Sequence, residues 1–202
     1  FGADEVETIP YLISKYFTNR DKLIFDNINT FEKDKFVTVG KDYVNKMMEF
    51  SKNAEITTDK LPVNFLSIGL IKLILPEAKI IHCKRNPKDN IFSIYKNNFT
   101  SNKVSYAYNL SETVDYYNQY VDIMEYWSSL LPNFIYNIKY ENLISDTKNE
   151  TKKLLDFCGL NWSDKCLDFY KNKRPIKTAS DTQVRNKIYK TSIESWRKYE
   201  KY

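Results

Sequence analysis

The chain has 202 residues, of which 42% are hydrophobic and 15% aromatic, and this composition excludes a disordered tail because such a chain can bury a sizeable core. Its formal net charge of +5 at pH 7 suits an anionic partner, although charge alone does not separate a nucleotide from a nucleic acid. The length predicts one domain over residues 1–202. No uncharged apolar run of about 18 residues is present, so we expect no membrane segment and a location in the cytoplasm.

The first part of the chain predicts packing helices and one short strand. Thr8 and Pro10 indicate the start of a helix with Thr8 as its cap, and apolar residues at helical spacing predict a second helix over 34–51. Residues 55–60 are a strand candidate that runs towards Pro62. The apolar stretch 64–75 then predicts a helix that Pro76 stops.

The second part of the chain alternates strands with helices. We expect strands over 79–84 and 134–139, and helices over 87–97, 111–131, 148–158, 163–170 and 188–199. Strands separated by helices predict an α/β fold of three layers, with helices on both faces of a central parallel sheet. Three strands are few for this length, which suggests that one strand is missing or not recognised.

The most informative motif is the strand candidate that ends at Lys84-Arg85 and turns at Asn86-Pro87 into a helix. Arg85 offers a planar fork for a phosphate, and the hydroxyl of Ser93, two turns into the helix, could close on the same group. Ligands of parallel α/β folds bind beyond the carboxyl ends of the strands. Lys60 and Tyr140 also follow predicted strand ends and are therefore candidate site residues.

Each of these residues also has a structural interpretation. Arg85 could form an ion pair, Ser93 could be a surface hydroxyl, and Tyr140 could belong to the core. The basic segment 171–177 is either a solvated loop or a flap over an anion. The three cysteines form no C-x-x-C motif, so we expect no metal site and small buried thiols, and the pairing of Cys158 with Cys166 stays open.

Four motifs in order resemble sulfotransferases that use 3′-phosphoadenosine 5′-phosphosulfate, and within them the bacterial branch related to tyrosylprotein sulfotransferases. The motifs are residues 75–87 with Ser93, residues 140–143, residues 155–160 and residues 178–185. The resemblance extends from Phe1 to Trp196. It implies a sulfotransferase fold like that of P-loop nucleotide hydrolases. It also implies sulfuryl transfer to a hydroxyl or phenol of a protein tyrosine, a carbohydrate or a small molecule, with adenosine 3′,5′-bisphosphate as product and no metal.

The resemblance also implies roles for residues that match the family's motifs. Arg85 and Ser93 match the pair that holds the 3′-phosphate, and Tyr140 matches the tyrosine that contacts the adenosine. Glu5 matches the catalytic base, and Lys60 matches the lysine that stabilises the transition state. The segment from Ser180 matches the loop that folds over the nucleotide, where Ser180 would lie near the transferring group beside the donor-binding residues Gln183, Val184 and Arg185.

The chain departs from the family at its start. The phosphosulfate-binding loop, a Pro-Arg-Ser-Gly-Thr-Thr sequence, normally precedes the Glu5 position, and we expect the chain to be an N-terminally truncated fragment without that loop and the first strand. Asn97 and Lys187 also replace an arginine and a proline that relatives often have. These departures affect which residues contact the 3′-phosphate, but they do not change the location where we expect it to bind.

Three hypotheses about function therefore stand side by side. The first is a sulfotransferase with Glu5 as base, and the second is a catalytically incomplete domain that only binds the 3′-phosphoadenosine nucleotide or interacts with a partner. The third, a nucleic-acid-binding domain that uses residues 171–177 and the tyrosines, is disfavoured because most aromatic residues lie at helical core spacing. The only histidine, His82, lies within a predicted strand and is expected to pack there. The acceptor and the oligomeric state stay open.

Overall fold

The computed structural model describes residues 1–19, 22–23, 31–51, 54–99, 102–172 and 185–201. The chain divides into two compact units. The described residues of the N-terminal unit lie within 1–78, and those of the C-terminal unit lie within 79–172 and 185–201. Among the helices of these ranges, none has the length and apolarity needed to cross a membrane.

The N-terminal unit is mainly helical. Its helices are α1 (Thr8–Phe17), α2 (Lys33–Ser51) and α3 (Ile68–Ile74), and a 3₁₀ segment, Pro62–Ser67, leads into α3. The strands β1 (Thr18–Asn19) and β2 (Lys22–Leu23) form a two-residue antiparallel pair. The helix predicted over 64–75 is thus a 3₁₀ turn followed by a short α-helix.

Apolar side chains from all three helices form the core of this unit. Leu12 and Phe17 of α1 and Val39 of α2 are completely buried. Gly40 is required where α2 meets α3, because a Cβ atom there would lie 2.1 Å from the carbonyl oxygen of Ile74. The cap prediction for α1 was wrong: Glu7 is the N-cap, and the buried Thr8 hydroxyl approaches a sulfur of α2 instead.

The strand predicted over 55–60 was also wrong. This segment makes one isolated parallel bridge, between Gly2 and Thr58. Hydrogen bonds run from Ala3 N to Thr58 O (2.7 Å), from Thr58 N to Phe1 O (2.7 Å) and from Lys60 N to Asp4 O (3.1 Å). The bridge therefore aligns the start of the chain with the segment that ends at Lys60.

The C-terminal unit contains the parallel strands β3 (Ile80–Lys84) and β4 (Ile135–Lys139). Its α-helices are α4 (Pro87–Tyr95), α5 (Leu110–Leu130), α6 (Tyr140–Ser145) and α7 (Thr147–Cys158). Its 3₁₀ segments include Asn102–Tyr108, Asp164–Cys166, Phe169–Lys171 and Ser195–Tyr199. Parallel strands joined through helices confirm the α/β class, with two parallel strands in the described part of the chain where three were expected.

Several smaller predictions for this unit need correction. The helices expected over 163–170 and 188–199 are short 3₁₀ segments with turns between them, and α6 was not predicted. Helix α7 ends at Cys158, and its C-cap is Gly159, whose φ of 69° lets Leu160 N bond back to Leu155 O (2.9 Å). All three cysteines are free thiols, so Cys158 and Cys166 do not pair, and Cys83 is exposed where a buried thiol was expected.

Candidate functional site

Glu5 and Lys60 lie side by side in the N-terminal unit. Lys60 Nζ donates a hydrogen bond to Glu5 Oε1 within an ion pair, and the side chains are 59% (Lys60) and 37% (Glu5) exposed. The main-chain pairing around Gly2 and Thr58 explains their proximity, because Glu5 and Lys60 follow the two paired segments directly. Two residues that are far apart in sequence thus form one accessible carboxylate–ammonium pair.

Asp59 is a neighbour of this pair that sequence reasoning missed. Its Oδ2 accepts a hydrogen bond from the Tyr43 hydroxyl at 3.0 Å, which ties the segment to α2. Burial raises the pKa of Asp59, and hydrogen bonds from Tyr43 and Asn64 offset part of that increase. The sequence carries no signal for this contact beyond an aspartate next to a candidate lysine. Asp59 therefore anchors the main chain from which Lys60 extends.

Arg85 and Tyr140 meet at the carboxyl ends of the two parallel strands. Lys84 and Lys139 are register partners at the ends of β3 and β4, so the next residue of each strand emerges at the same edge. The guanidinium carbon of Arg85 lies 5.2 Å from the centre of the Tyr140 ring. The structure therefore brings together two residues that the sequence indicated separately, in the place where parallel α/β sheets bind ligands.

The guanidinium of Arg85 is only partly satisfied by protein groups. Its Nη2 donates to the carbonyl oxygen of Ser192 at 2.7 Å. Its Nε is buried and has no hydrogen-bond partner within the described ranges. A buried donor without an acceptor is unfavourable by roughly 1–3 kcal/mol, and more when it is charged. An anionic oxygen placed against this edge would satisfy that donor, so the chemistry of the residue fits a phosphate group.

The turn that carries Arg85 is held by two polar side chains. Asn86 is the N-cap of α4, and its Oδ1 accepts from Lys88 N at 3.0 Å and from Asp89 N at 3.3 Å. The main-chain N–H of Asn86 donates to Glu141 Oε1 at 2.8 Å, which joins the turn to the start of α6. The Asn-Pro motif predicted the turn into this helix. Glu141 was missed because its partner lies far away in sequence.

Ser93 lies in the last turn of α4 and is partly buried. It follows Asp89 by four residues, so the two side chains share one face of the helix. Its carbonyl oxygen accepts from Asn97 Nδ2 at 2.7 Å. No hydrogen bond joins Ser93 to Arg85 in the described part of the chain: Arg85 directly precedes the Asn86 cap at the N-terminus of α4, and Ser93 lies about two turns further along the helix.

The remaining candidates belong to the segment before the C-terminal turn. Ser180, Gln183 and Val184 lie outside the described residues. Arg185 is described, and its Nη1 donates to the carbonyl oxygen of Asn172. Lys187 has its Nζ 5.6 Å from the centre of the Tyr170 ring. Arg185 and Lys187 thus contact the end of the preceding helical region.

His82 packs between strand and helix, as predicted. Its Nδ1 lies 2.7 Å from Asn137 Oδ1 on β4, and its Nε2 hydrogen-bonds the Tyr120 hydroxyl of α5. Burial lowers the pKa of His82, while the bond to Asn137 opposes that shift. Both ring nitrogens are engaged in internal contacts, which favours a structural role. Across the ranges that the structure describes, no cluster of three His, Cys, Asp or Glu side chains could hold a metal ion.

Comparison with known proteins places these observations in a family. The sequence profile of the sulfotransferase family matches residues 19–164. An uncharacterized protein of Aquifex aeolicus (strain VF5) is 35% identical over 210 aligned positions, which cover 100% of this chain and 28% of that protein. Cytosolic sulfotransferase 14 of Arabidopsis thaliana is 33% identical over 44% of this chain and 29% of its own length. The chain therefore spans less than a third of either relative.

A solved structure resembles the fold over nearly the whole chain. It is the sulfotransferase domain from the curacin biosynthetic pathway, with a TM-score of 0.55 and 16% sequence identity. The similarity covers 96% of this chain and 80% of the other. At this identity the comparison speaks for the fold alone.

Proposed function

The chain belongs to the sulfotransferase family, and from this premise we propose that it transfers a sulfuryl group from 3′-phosphoadenosine 5′-phosphosulfate to a hydroxyl or phenol. The observation that carries the proposal is the Arg85 guanidinium at the strand ends, with a buried Nε that lacks an acceptor among the described residues. We also propose a cytoplasmic location, which the name of the Arabidopsis relative supports.

Arg85 would hold the 3′-phosphate of the donor. A guanidinium presents a rigid fork of N–H donors, and its Nη2 bonds Ser192 O. Its buried Nε has no acceptor among the described residues, and a bound phosphate oxygen would supply one. Ser93 can add a hydroxyl donor one turn beyond Asp89. Tyr140, whose ring lies against the Arg85 guanidinium, offers an aromatic surface for the adenosine.

Glu5 and Lys60 would carry the chemistry. As the acceptor oxygen bonds to sulfur and the bond from sulfur to the bridging phosphate oxygen breaks, Glu5 takes the acceptor proton. Lys60 stabilises the negative charge that develops on the departing oxygen, and its ammonium has three N–H donors, so it can contact Glu5 and a second anion together. The product left behind is adenosine 3′,5′-bisphosphate.

The loop motif completes the proposal. Ser180 would place its hydroxyl near the transferring group, and Gln183, Val184 and Arg185 would fold over the nucleotide. The support for these assignments is the match of the segment to the family's motif. No nucleic-acid partner is part of the proposal.

A binding experiment tests the nucleotide assignment. Thermal unfolding of the full chain is measured with adenosine 3′,5′-bisphosphate and with AMP, which lacks the 3′-phosphate. At about 100 times its Kd the bisphosphate should stabilise the protein by about 2.7 kcal/mol, and AMP at the same concentration should stabilise it clearly less. Equal responses to the two nucleotides would contradict the proposed 3′-phosphate site.

Variants make the experiment specific. Arg85→Ala should remove the difference between the two nucleotides. Lys153→Ala is the control, because it removes one positive charge at an exposed side chain of α7, which forms an i,i+3 ion pair with Glu150. It should leave the difference unchanged. Transfer from labelled donor to a panel of phenols, sugars and tyrosine peptides then tests the reaction itself.

A further inference from the structure

Asp89 is a completely buried carboxylate that the proposed chemistry does not use. It lies in the first turn of α4, and its relative exposure is 0%. Its Oδ2 accepts from Glu194 N at 2.7 Å, and its Oδ1 accepts from the Ser195 hydroxyl at 2.9 Å and from Trp196 N at 3.1 Å. A single side chain thus binds three consecutive residues that lie more than a hundred positions later in the sequence.

The segment that Asp89 binds also holds Arg85. The carbonyl oxygen of Ser192, two residues before Glu194, accepts the Arg85 Nη2 hydrogen bond at 2.7 Å. Glu194 itself, within this segment, has a φ of 54°, a left-handed conformation that a non-glycine residue adopts at a cost of about 1 kcal/mol or more. The hydrogen bonds of Asp89 offset that cost and fix the turn. The place of the Ser192 carbonyl therefore depends on Asp89.

Two contacts with aromatic rings also join α4 to the segment that Asp89 binds and to the residues just after it. Lys88 Nζ lies 3.9 Å from the centre of the Trp196 ring, and the Phe92 and Tyr199 ring centres are 4.5 Å apart. The indole Nε1 of Trp196, like Arg85 Nε, is buried without a hydrogen-bond partner within the described ranges. Among the described residues of this unit, the two buried side-chain donors without a partner thus belong to the segment that Asp89 binds and to the arginine that this segment contacts.

We propose that Asp89 is a positioning residue for nucleotide binding, which holds residues 192–196 so that the Ser192 carbonyl aims the Arg85 guanidinium at the 3′-phosphate. The inference rests on the proposed function. A guanidinium is planar, so a hydrogen bond at Nη2 also sets the direction of the Nε–H bond. Without Asp89, the arginine would keep its charge and lose its orientation.

The charge of Asp89 and its hydrogen bonds should have opposite effects on phosphate binding, so an experiment can tell them apart. Burial raises the pKa of Asp89, but hydrogen bonds from Ser195, Trp196 and Glu194, with Arg85 nearby, bring it below its ordinary value. A negative charge beside Arg85 repels a phosphate. If charge alone mattered, Asp89→Asn would strengthen binding of the bisphosphate. If Asp89 acts by positioning, the same substitution weakens it.

The experiment compares the Kd values of adenosine 3′,5′-bisphosphate and AMP for the full chain and its variants, by calorimetric titration. Asp89→Asn should reduce the preference for the bisphosphate by about tenfold or more, because charged hydrogen bonds are lost, and should leave AMP binding nearly unchanged. Ser195→Ala removes one neutral donor and should reduce the preference by about two- to fivefold. Asp89→Glu, which keeps the carboxylate, should recover part of the loss.

The control is a second buried polar residue of the same unit. Thr113 on α5 is 1% exposed, and its hydroxyl donates to Tyr106 O and Asn109 O. Thr113→Val should lower the unfolding temperature without changing the nucleotide preference.

The outcomes separate the inference from the proposed function. If Arg85→Ala removes the preference and Asp89→Asn leaves it unchanged or raises it, the positioning role is wrong and the nucleotide site stands. If Arg85→Ala has no effect, the proposed function itself is wrong. If Asp89→Asn does not fold, Ser195→Ala decides, and an unchanged preference in that variant overturns the inference.

Discussion

Glu5 and Lys60 owe their proximity to the main chain. The hydrogen bonds between residues 1–4 and the segment that ends at Lys60 set the register of the two side chains independently of their ion pair. The pair itself is well exposed, so solvent screens it and its contribution to stability is small. The ion pair therefore contributes little to folding, and both groups are accessible for the proposed roles of base and transition-state cation.

This assignment predicts the behaviour of Glu5→Gln. The amide cannot take a proton, so turnover should fall by roughly 10²–10⁴-fold, while the Kd of adenosine 3′,5′-bisphosphate should change less than about twofold. Steady-state kinetics and calorimetric titration measure the two quantities. Glu125→Gln, at an exposed position of α5, is the matched control and should change neither. Loss of nucleotide binding in Glu5→Gln would count against its role as base.

Asp89 predicts a specific acid sensitivity. Its pKa is held below the ordinary value of 3.8, so its contribution to stability is present above that pH and is lost as the pH falls through the folded-state pKa. Urea unfolding from about pH 6 to about pH 2.5 should therefore show a steeper loss of stability in the wild type than in Asp89→Asn. Parallel curves for the two proteins would show that the carboxylate contributes no such linkage.

Two asparagine caps in the C-terminal unit share one geometry. Asn86 caps α4 and Asn109 caps α5, and each side chain accepts from the amides two and three residues later. Only the first cap adjoins Arg85. The comparison therefore separates the stability that a cap provides from its effect on the candidate site.

Alanine substitution at each cap should cost about 1 kcal/mol of unfolding free energy. Asn86→Ala should also weaken binding of adenosine 3′,5′-bisphosphate, because the turn that presents Arg85 loosens, and Asn109→Ala should not. Chemical denaturation and titration of both variants provide the measurement. Equal nucleotide affinity in the two variants would show that the cap has no influence on the site.

Sequence periodicity located the long elements and failed on the short ones. The apolar spacing of α2 and α5 and the β-branched run of β3 placed these elements within one or two residues of their ends. The bridge at Thr58, the 3₁₀ segments near Cys166 and the six-residue α6 were missed or misassigned. Elements of this length contain too few residues to show a period, and contacts with distant segments decide their conformation.

At the scale of the whole molecule, the site was only half visible in the sequence. Motifs identified Arg85 and Tyr140, and the parallel register explains why they meet. Asp89 and Glu141 were not recognised, because their partners are distant along the chain. Glu194 lies 105 positions from Asp89, and Asn86 lies 55 positions from Glu141. A local pattern can indicate which residue binds a ligand. The residues that orient it emerge only from the folded chain.

The net charge of +5 predicts the salt dependence of nucleotide binding. Each phosphate monoester carries a charge of about −2, and the bisphosphate has two such groups where AMP has one. Long-range attraction to the basic protein therefore favours the bisphosphate. Salt screens this attraction beyond a distance of about 10 Å at 0.1 M. Raising sodium chloride should therefore weaken bisphosphate binding more steeply than AMP binding. Titrations at several salt concentrations measure both slopes, and identical slopes would contradict this expectation.

The contact between Arg85 and the peptide oxygen at position 192 has an evolutionary consequence. Every amino acid supplies that oxygen, so the serine side chain is free to drift among descendants as long as the tight turn survives. A survey guided by invariant side chains would pass over this position, although its backbone aims the arginine. Natural selection has to preserve the main-chain conformation of this turn, and several different sequences can adopt it.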